Sequence, residues 1–269
     1  MKDYLEHYEG KIYALSPIYV GSGEKIKKNA YIYAPRNHRV VIPDIEKMYT
    51  ALRKKGLERE FTSYLMSSGD RGPSLAQWLG SHGISEKEWR EWKRYEMDAG
   101  EAFLQLGPRK KSSDIDGFCR DGYGMPYVPG SSIKGMLRTA LLASEIENNP
   151  EKYKRIALEI SEKSQERAKR IPDRACLMKE TQKLEQQAFY TLGREQRLNS
   201  AVNDHMAGLL VGDSEPIDLE QLTLSQKIDV TLNGEEKPLP ILRETLKPGT
   251  EIRFSLTIDR TLCPYSIEK

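Results

Sequence analysis

The sequence predicts an α+β protein, because strand-like segments lie toward both ends of the chain and helical segments lie between them. KIYALSPIYVGSG, residues 11–23, alternates aromatic and β-branched residues with a period of roughly two, and predicts a strand that ends in a tight turn. GTEIRFSLTID, residues 249–259, alternates in the same way and predicts a second strand. Residues 132–148 instead repeat apolar side chains at helical spacing.

The composition excludes several classes of protein. Lys and Arg total 42 and Asp and Glu total 40, a net charge of +2, so any nucleic-acid surface must be a local patch. No apolar run approaches the roughly 20 residues of a membrane helix, and the first residues lack the apolar segment of a secretory signal. The three cysteines are odd in number and far apart, and neither they nor the four histidines have zinc-ligand spacing. We therefore expect a cytoplasmic protein with free thiols and without a metal or cofactor.

Residues 24–125 are predicted to be mostly helical after an initial hairpin. The basic segment EKIKKNAYIYAPRNHRVVIP suggests the hairpin, and apolar spacing over residues 44–66 predicts two short helices or one interrupted at Gly56. SLAQWLG predicts another short helix. Ser85 and Glu88 form a capping box that opens a helix over EKEWREWKRYEM. The two tryptophans of that helix, three residues apart, are expected to pack on the core rather than to stack on bases.

The remainder of the chain alternates between the two element types. KKSSDIDGFCRDGYGMPYVPG predicts a strand, an Asp-Gly turn and an extended stretch, after which a helix runs from Ser132 to about Asn148. Residues 151–206 have helical propensity, dense charge and a break at Pro172. AGLLVGDSEPI predicts a strand, and residues 222–247 predict a projecting hairpin around Asn233-Gly234.

The segment YVPGSSIKGMLR carries the strongest sign of a binding site. Pro129 and Gly130 form a turn, Ser131 or Ser132 can cap the helix, and the free N–H groups of the first turn can bind an anion. Gly135 permits close approach of another backbone. Lys134 and Arg138, four residues apart, repel each other unless an anion or a carboxylate lies between them. A plain capped helix with solvated cations explains this segment equally well.

Known phosphate-binding and nucleophile signatures fit this segment and the Gly-Ser-Gly segment less well. It has no Gly-Lys-Ser/Thr of a Walker A loop, and Gly21-Ser22-Gly23 is followed by Ile26, where a dinucleotide fingerprint needs Gly or Ala. Ser131-x-x-Lys134 matches the Ser-x-x-Lys of penicillin-recognising acyl enzymes. The further elements which that chemistry needs are missing; KPGT at residues 247–250 is the nearest approach.

MPYVPGSSIKGMLR resembles the signature of the RAMP superfamily of CRISPR proteins. LSPIYVGSGEK, LLVGDSE and LKPGTEIRFSLTI resemble the first, second and third core strands of that superfamily. The order of the four segments is most similar to the family of fifth Csm subunits of type III-A effector complexes.

The resemblance implies a ferredoxin-like, RRM-related core formed by residues 1–23 and 126–269. On that template strand one is residues 11–20 and helix one begins at Ser132. The large helical insertion is residues 24–125, a charged helical insert is residues 149–206, and the 222–247 hairpin projects like a thumb. The last helix and strand of the core are expected to be missing from this chain.

The resemblance also implies a function. The subunit would bind the 3′ region of a CRISPR RNA, cap that end of the complex, and take part in guide maturation, assembly and antiviral defence. Its partners would be the adjacent RAMP backbone subunit and the small subunit, with target RNA nearby and no membrane. The related backbone subunit cuts RNA with an aspartate after strand one. Here the only acidic residue among residues 24–29 is Glu24, and no aspartate is present. We therefore expect binding without cleavage, with a backbone-type ribonuclease as the alternative.

The predicted RNA-binding residues come from two segments that a β-α unit would bring together. They are expected to hold phosphate through cations, hydroxyls and N–H groups, with glycines that permit close approach. They are Gly21, Ser22, Gly23, Lys25, Lys27, Lys28, Gly130, Ser131, Ser132, Lys134, Gly135 and Arg138.

Overall fold

The structure is a computed structural model that describes residues 4–67, 72–100, 102–103, 114–167, 177–197 and 200–265; the side chains of residues 166 and 167 are not described. The chain divides into two compact units. We call Met1–Lys11, Pro129–Ser214 and Arg253–Lys269 the three-strand unit, and Ile12–Val128 with Glu215–Ile252 the seven-strand unit. None of the described helices combines the length and the apolar character that crossing a membrane requires.

Strands and α-helices of the described residues are numbered along the chain. The strands are β1 (Leu5–Tyr13), β2 (Gly21–Ile26), β3 (Ile32–Ala34), β4 (Arg39–Pro43), β5 (Lys93–Asp98), β6 (Ile115–Phe118), β7 (Leu209–Ser214), β8 (Leu222–Val230), β9 (Glu236–Leu246) and β10 (Glu251–Asp259). The helices are α1 (Ile45–Lys54), α2 (Glu58–Ser67), α3 (Leu75–Ser81), α4 (Glu86–Glu91), α5 (Gly130–Asn148), α6 (Pro150–Arg167) and α7 (Met178–Phe189). The predicted α+β class is confirmed.

The three-strand unit is built on a sheet with the order β1-β10-β7. Strand β10 pairs antiparallel with β7, and Phe254, Leu256 and Ile258 are buried on one face, as the alternation predicted. Helices α5, α6 and α7 belong to the same unit and pack against one another. Buried aromatic side chains at Tyr153 and Phe189 contribute to their shared core.

The seven-strand unit contains a mixed sheet with the order β2-β6-β9-β8-β5-β4-β3. Neighbouring pairs are antiparallel, except that β5 pairs parallel with β8 and β6 pairs parallel with β9. Helices α1 to α4 contribute to a core that includes Phe61, Trp78, Trp89 and Trp92. The predicted burial of the last two tryptophans is therefore confirmed.

A buried ion pair connects three strands of this sheet. The Glu244 side chain, on β9, has no exposed surface; it accepts hydrogen bonds from the Tyr95 hydroxyl of β5 (2.5 Å) and the Phe118 N–H of β6 (3.0 Å). Arg120 donates to both Glu244 oxygens at 3.0 Å and to the Gly124 carbonyl at 2.9 Å. Burial, together with the charge of Glu244, raises the pKa of Tyr95, which keeps its hydroxyl protonated as a donor.

The predicted first strand is wrong in its position. Residues 11–20 are not one strand: β1 ends at Tyr13, and the Gly-Ser-Gly segment lies inside β2 rather than in a turn. The register against β6 shifts between Gly21 and Lys25, and Gly23 has a φ of +81°. Positive φ is favourable for glycine, so the segment forms a bulge in a paired strand, a structure with the same local signature as a turn.

Two helical predictions also fail. The helix that begins after Ser85 ends at Glu91, and KRYEMD forms β5 instead, because Tyr95 and Met97 are buried in the sheet. Residues 190–197 and 200–206 contain no α-helix, only 3₁₀ turns at Ala201–Asn203 and from His205 to Gly208. The break expected at Pro172 lies outside the described residues.

Several local predictions are confirmed. Helices α1 and α2 flank Gly56, whose φ is +76°, and the capping box of Ser85 and Glu88 is formed. The β3–β4 hairpin and the β8–β9 hairpin around Gly234 are both present. The base of the second hairpin lies within the seven-stranded sheet.

Arg120→Ala should strongly destabilise the seven-strand unit, because it leaves Glu244 buried without its cation. We expect the free energy of unfolding to fall by about 3–5 kcal/mol in urea denaturation. Arg53→Ala is the matched control, since Arg53 pairs with Glu58 at 3.8 Å on the surface and should cost no more than about 1 kcal/mol. Equal losses for the two variants would contradict the role assigned to the buried pair.

Candidate nucleic-acid interface

Helix α5 begins against strand β7, two residues earlier than predicted. Its N-cap is Pro129, and the Gly130 N–H donates to Asp213 Oδ1 at 2.7 Å. A Cβ on Gly130 would lie 2.3 Å from the Val211 carbonyl oxygen, so only glycine allows this approach. The predicted caps Ser131 and Ser132 therefore do not cap; they lie in the first turn and are exposed.

The first turn of α5 is open on the side away from β7. Gly135, one turn further along the helix, is exposed and has no atom within 4 Å of the position of a Cβ. The Asp213 carboxylate already holds the N–H group of Gly130. An additional anion at this helix start would therefore have to use the N–H groups and hydroxyls of the two serines, together with nearby cations.

The two cations of α5 differ in their surroundings. Lys134 is half-buried, and burial lowers the pKa of its ammonium, with Asp204 opposing and Arg138 adding to that effect. Arg138 donates to Glu185 at 3.1 Å and to Asp204 at 2.8 Å, and its guanidinium lies 4.3 Å from the centre of the Phe189 ring. Burial lowers the pKa of Arg138, but these carboxylates outweigh it and the net shift is upward.

Arg138 therefore connects α5 to α7 and to the segment before β7. The carboxylates that relieve its repulsion with Lys134 belong to the protein itself. Of the two predicted cations of α5, Lys134 is the one without a carboxylate bonded to it among the ion pairs of the described residues.

The other predicted segment belongs to the seven-strand unit. In the bulge of β2, Ser22 Oγ donates to the Gly117 carbonyl at 3.2 Å and accepts from the Glu24 N–H at 3.1 Å. Gly21 and Gly23 flank it and are exposed. The Ser22 hydroxyl thus fastens the bulge to the neighbouring strand β6.

The three lysines that follow the bulge all contact partners within their own unit. Lys25 lies 3.4 Å from Asp116, and Lys27 donates to Asp114 at 2.7 Å. Both keep more than half of their side-chain surface exposed, so their ion pairs are weak and can exchange with another anion. Lys28 is buried, and its ammonium donates to the Gly72 carbonyl at 2.9 Å.

The structure thus assigns the predicted residues to two groups, one in each unit. Gly130, Ser131, Ser132, Lys134, Gly135 and Arg138 share one end of α5, and Gly21 to Lys28 share β2 and the segment after it. Sequence patterns could not identify the carboxylates that bind these cations, because each lies far away along the chain. Asp213, which accepts the Gly130 N–H, does lie within LLVGDSE, one of the segments that carried the resemblance.

The chain belongs to the RAMP superfamily, whose sequence model matches residues 11–262. Among its relatives, a protein of Mycobacterium tuberculosis (strain CDC 1551 / Oshkosh) described as CRISPR system Cms protein Csm5 is 27% identical over 278 residues, covering 96% of this chain and 68% of the relative. A protein of Streptococcus thermophilus with the same description is 28% identical over 260 residues, covering 96% and 65%.

Solved structures show the same fold. The crystal structure of T. onnurineus Csm5 matches with a TM-score of 0.62 and 20% identity, covering 93% of this chain and 67% of that one. A chain of a Csm–crRNA–target RNA ternary complex in a type III-A CRISPR-Cas system matches with a TM-score of 0.59, covering 93% and 64%. The predicted resemblance to the RAMP superfamily and to fifth Csm subunits is confirmed. The chain spans about two thirds of the length of these relatives.

Gly130→Ala should destabilise the three-strand unit, because a methyl group at this position collides with the backbone of β7. We expect a loss of about 1–3 kcal/mol in the free energy of unfolding. Gly135→Ala is the matched control on the same helix; with open space around it, it should stabilise by about 0.5–1 kcal/mol. A neutral Gly130→Ala would show that the close approach of α5 to β7 is not required.

Proposed function

We propose that this chain is a non-catalytic RNA-binding subunit of a type III-A Csm effector complex, that it binds the 3′ region of the guide RNA, and that it caps that end of the complex. The observation that carries the proposal is the start of α5. In a member of the RAMP superfamily, the motif Gly-Ser-Ser-Ile-Lys-Gly is held against β7 by Gly130 and Asp213, with its serines and Gly135 exposed.

The core of the three-strand unit supports a ferredoxin-like arrangement. In a β-α-β-β-α-β fold, the third strand pairs between the first and the second. Here β1, α5, β7 and β10 occur in this order along the chain, with other elements between them, and β10 lies between β1 and β7 in the sheet. We assign β1, β7 and β10 as the first three strands of that core, and α5 as its first helix.

In this proposal the guide contacts are mainly to phosphate and ribose and do not depend on sequence. Ser131 and Ser132 supply hydroxyls and N–H groups, Lys134 supplies charge, and Gly135 leaves room for the RNA backbone. In the seven-strand unit, the Gly21–Gly23 bulge, Lys25 and Lys27 are proposed as a separate set of phosphate contacts. Arg138 and Lys28 already bind groups of the protein itself. In the proposal they hold the surrounding elements in place, and the other cations bind most of the phosphate.

The exposed parts of the chain offer surfaces for the proposed partners. The tip of the β8–β9 hairpin exposes the apolar side chains of Val230 and Leu232, and exposed apolar groups favour contact with a partner. We propose that this hairpin and the helical insertion of residues 24–125 are the surfaces that meet guide RNA, the adjacent RAMP backbone subunit and the small subunit. We also propose that the complex works in the cytoplasm. No carboxylate other than Glu24 lies in the segment of residues 24–29, so cleavage is not part of the proposal.

Lys134→Ala should weaken guide binding for all sequences alike, because it removes a phosphate-binding cation. In a salt titration of guide binding, the slope of log affinity against log salt should become shallower by roughly 0.7. The control is Lys154→Ala, an exposed lysine of α6 paired with Glu151. If Lys134→Ala and Lys154→Ala both match the unmutated chain, α5 is only a structural helix and the proposed site is wrong.

A further inference from the structure

Helices α6 and α7 of the three-strand unit form a groove that is lined mainly by basic and polar side chains. It encloses about 690 Å³, within the range of cavities that bind ligands. Its lining combines three cations, two amides, one phenol and a single aliphatic side chain. The residues are Lys152, Arg155, Ile156, Lys183, Gln186, Gln187 and Tyr190. None of these lining residues is acidic.

The cations of the groove are held by carboxylates that do not line it. Lys152 binds Glu145 at 2.6 Å, and Glu159 is shared by Lys183 at 2.5 Å and Arg155 at 3.6 Å. Among the ion pairs of the described residues, two carboxylates are therefore bonded to three cations. The pairs are partly exposed, and pairs of this kind contribute only about 0–1 kcal/mol, so they orient the cations without preventing them from binding another anion.

The remaining groups of the groove match a nucleotide chain. Gln187 donates to the Lys152 carbonyl at 2.6 Å, which fixes α7 against α6 and keeps the groove formed. The Gln186 amide can donate to and accept from ribose hydroxyls or base edges, and the Tyr190 ring offers a surface for stacking. An acidic protein segment would be bound by the cations of the groove, whereas a nucleotide chain also uses the Gln186 amide and the Tyr190 ring.

We propose that this groove is a second RNA-binding site, which holds a short stretch of single-stranded RNA through its phosphates and stacks one base on Tyr190. The inference rests on the proposed function, since the RNA is that of the same subunit. It extends that function to a helical region which the sequence presents only as a charged surface.

The test is a salt titration of the full chain with a labelled, mixed-sequence, single-stranded RNA. The triple variant Lys152→Ala, Arg155→Ala, Lys183→Ala should reduce the salt slope by roughly 2, at about 0.7 for each lost phosphate contact. The matched triple control is Lys47→Ala, Arg53→Ala, Lys93→Ala, in the seven-strand unit, whose cations are likewise paired with surface carboxylates. Ultraviolet cross-linking of the unmutated chain should also place RNA at Tyr190, a result that does not depend on how well a variant folds.

The outcomes separate this inference from the function on which it rests. If Lys134→Ala reduces the slope while the groove triple does not, the proposed function stands and the groove proposal is overturned. If the control triple reduces the slope as much as the groove triple, the effect is non-specific and the groove proposal is also overturned. If the unmutated chain binds no RNA, both fall. If the slope falls for Lys134→Ala and for the groove triple variant but not for the control triple variant, and RNA cross-links to Tyr190, both the proposed function and the groove proposal are supported.

Discussion

A fully buried carboxylate determines how the seven-strand unit is arranged. Burying an uncompensated charge is strongly unfavourable, so Glu244 can lie inside the sheet only while Arg120, Tyr95 and the Phe118 N–H bind it. Tyr95 lies on β5, Phe118 lies on β6, and Arg120 follows two residues after the end of β6. Because β2 pairs with β6, the bulge of Gly21–Gly23 takes its position from the same interaction. The proposed RNA surface of this unit therefore depends on an ion pair that lies beneath it.

Local elements could be predicted from the sequence because they depend on neighbouring residues. The interruption at Gly56, the capping box at Ser85 and the hairpin turn at Gly234 are each determined by backbone preferences and nearby hydrogen bonds. The predictions failed where a distant strand decides the outcome. KRYEMD continues a helical pattern but becomes β5 because β4 and β8 are available to pair with it. Gly-Ser-Gly has the local features of a turn but pairs with β6 as a bulge.

The candidate site shows the same division between local and distant information. The motif from Gly130 to Arg138 identified the start of α5, and the resemblance identified the superfamily. Which cations are available to an RNA phosphate depends on carboxylates far away along the chain. Glu185 and Asp204 bind Arg138, and a backbone carbonyl binds Lys28. Lys134 has no carboxylate bonded to it among the ion pairs of the described residues, and burial lowers the pKa of its ammonium. Neither spacing nor composition contains that information.

The most direct test is a cryo-electron microscopy map of the assembled complex with its guide RNA. We predict that this subunit lies on the 3′ side of the guide, with a guide phosphate within hydrogen-bonding distance of Ser131 or Ser132 and with Lys134 beside it. A map that places the subunit at the 5′ end of the guide, or that shows the start of α5 without RNA, would contradict the account.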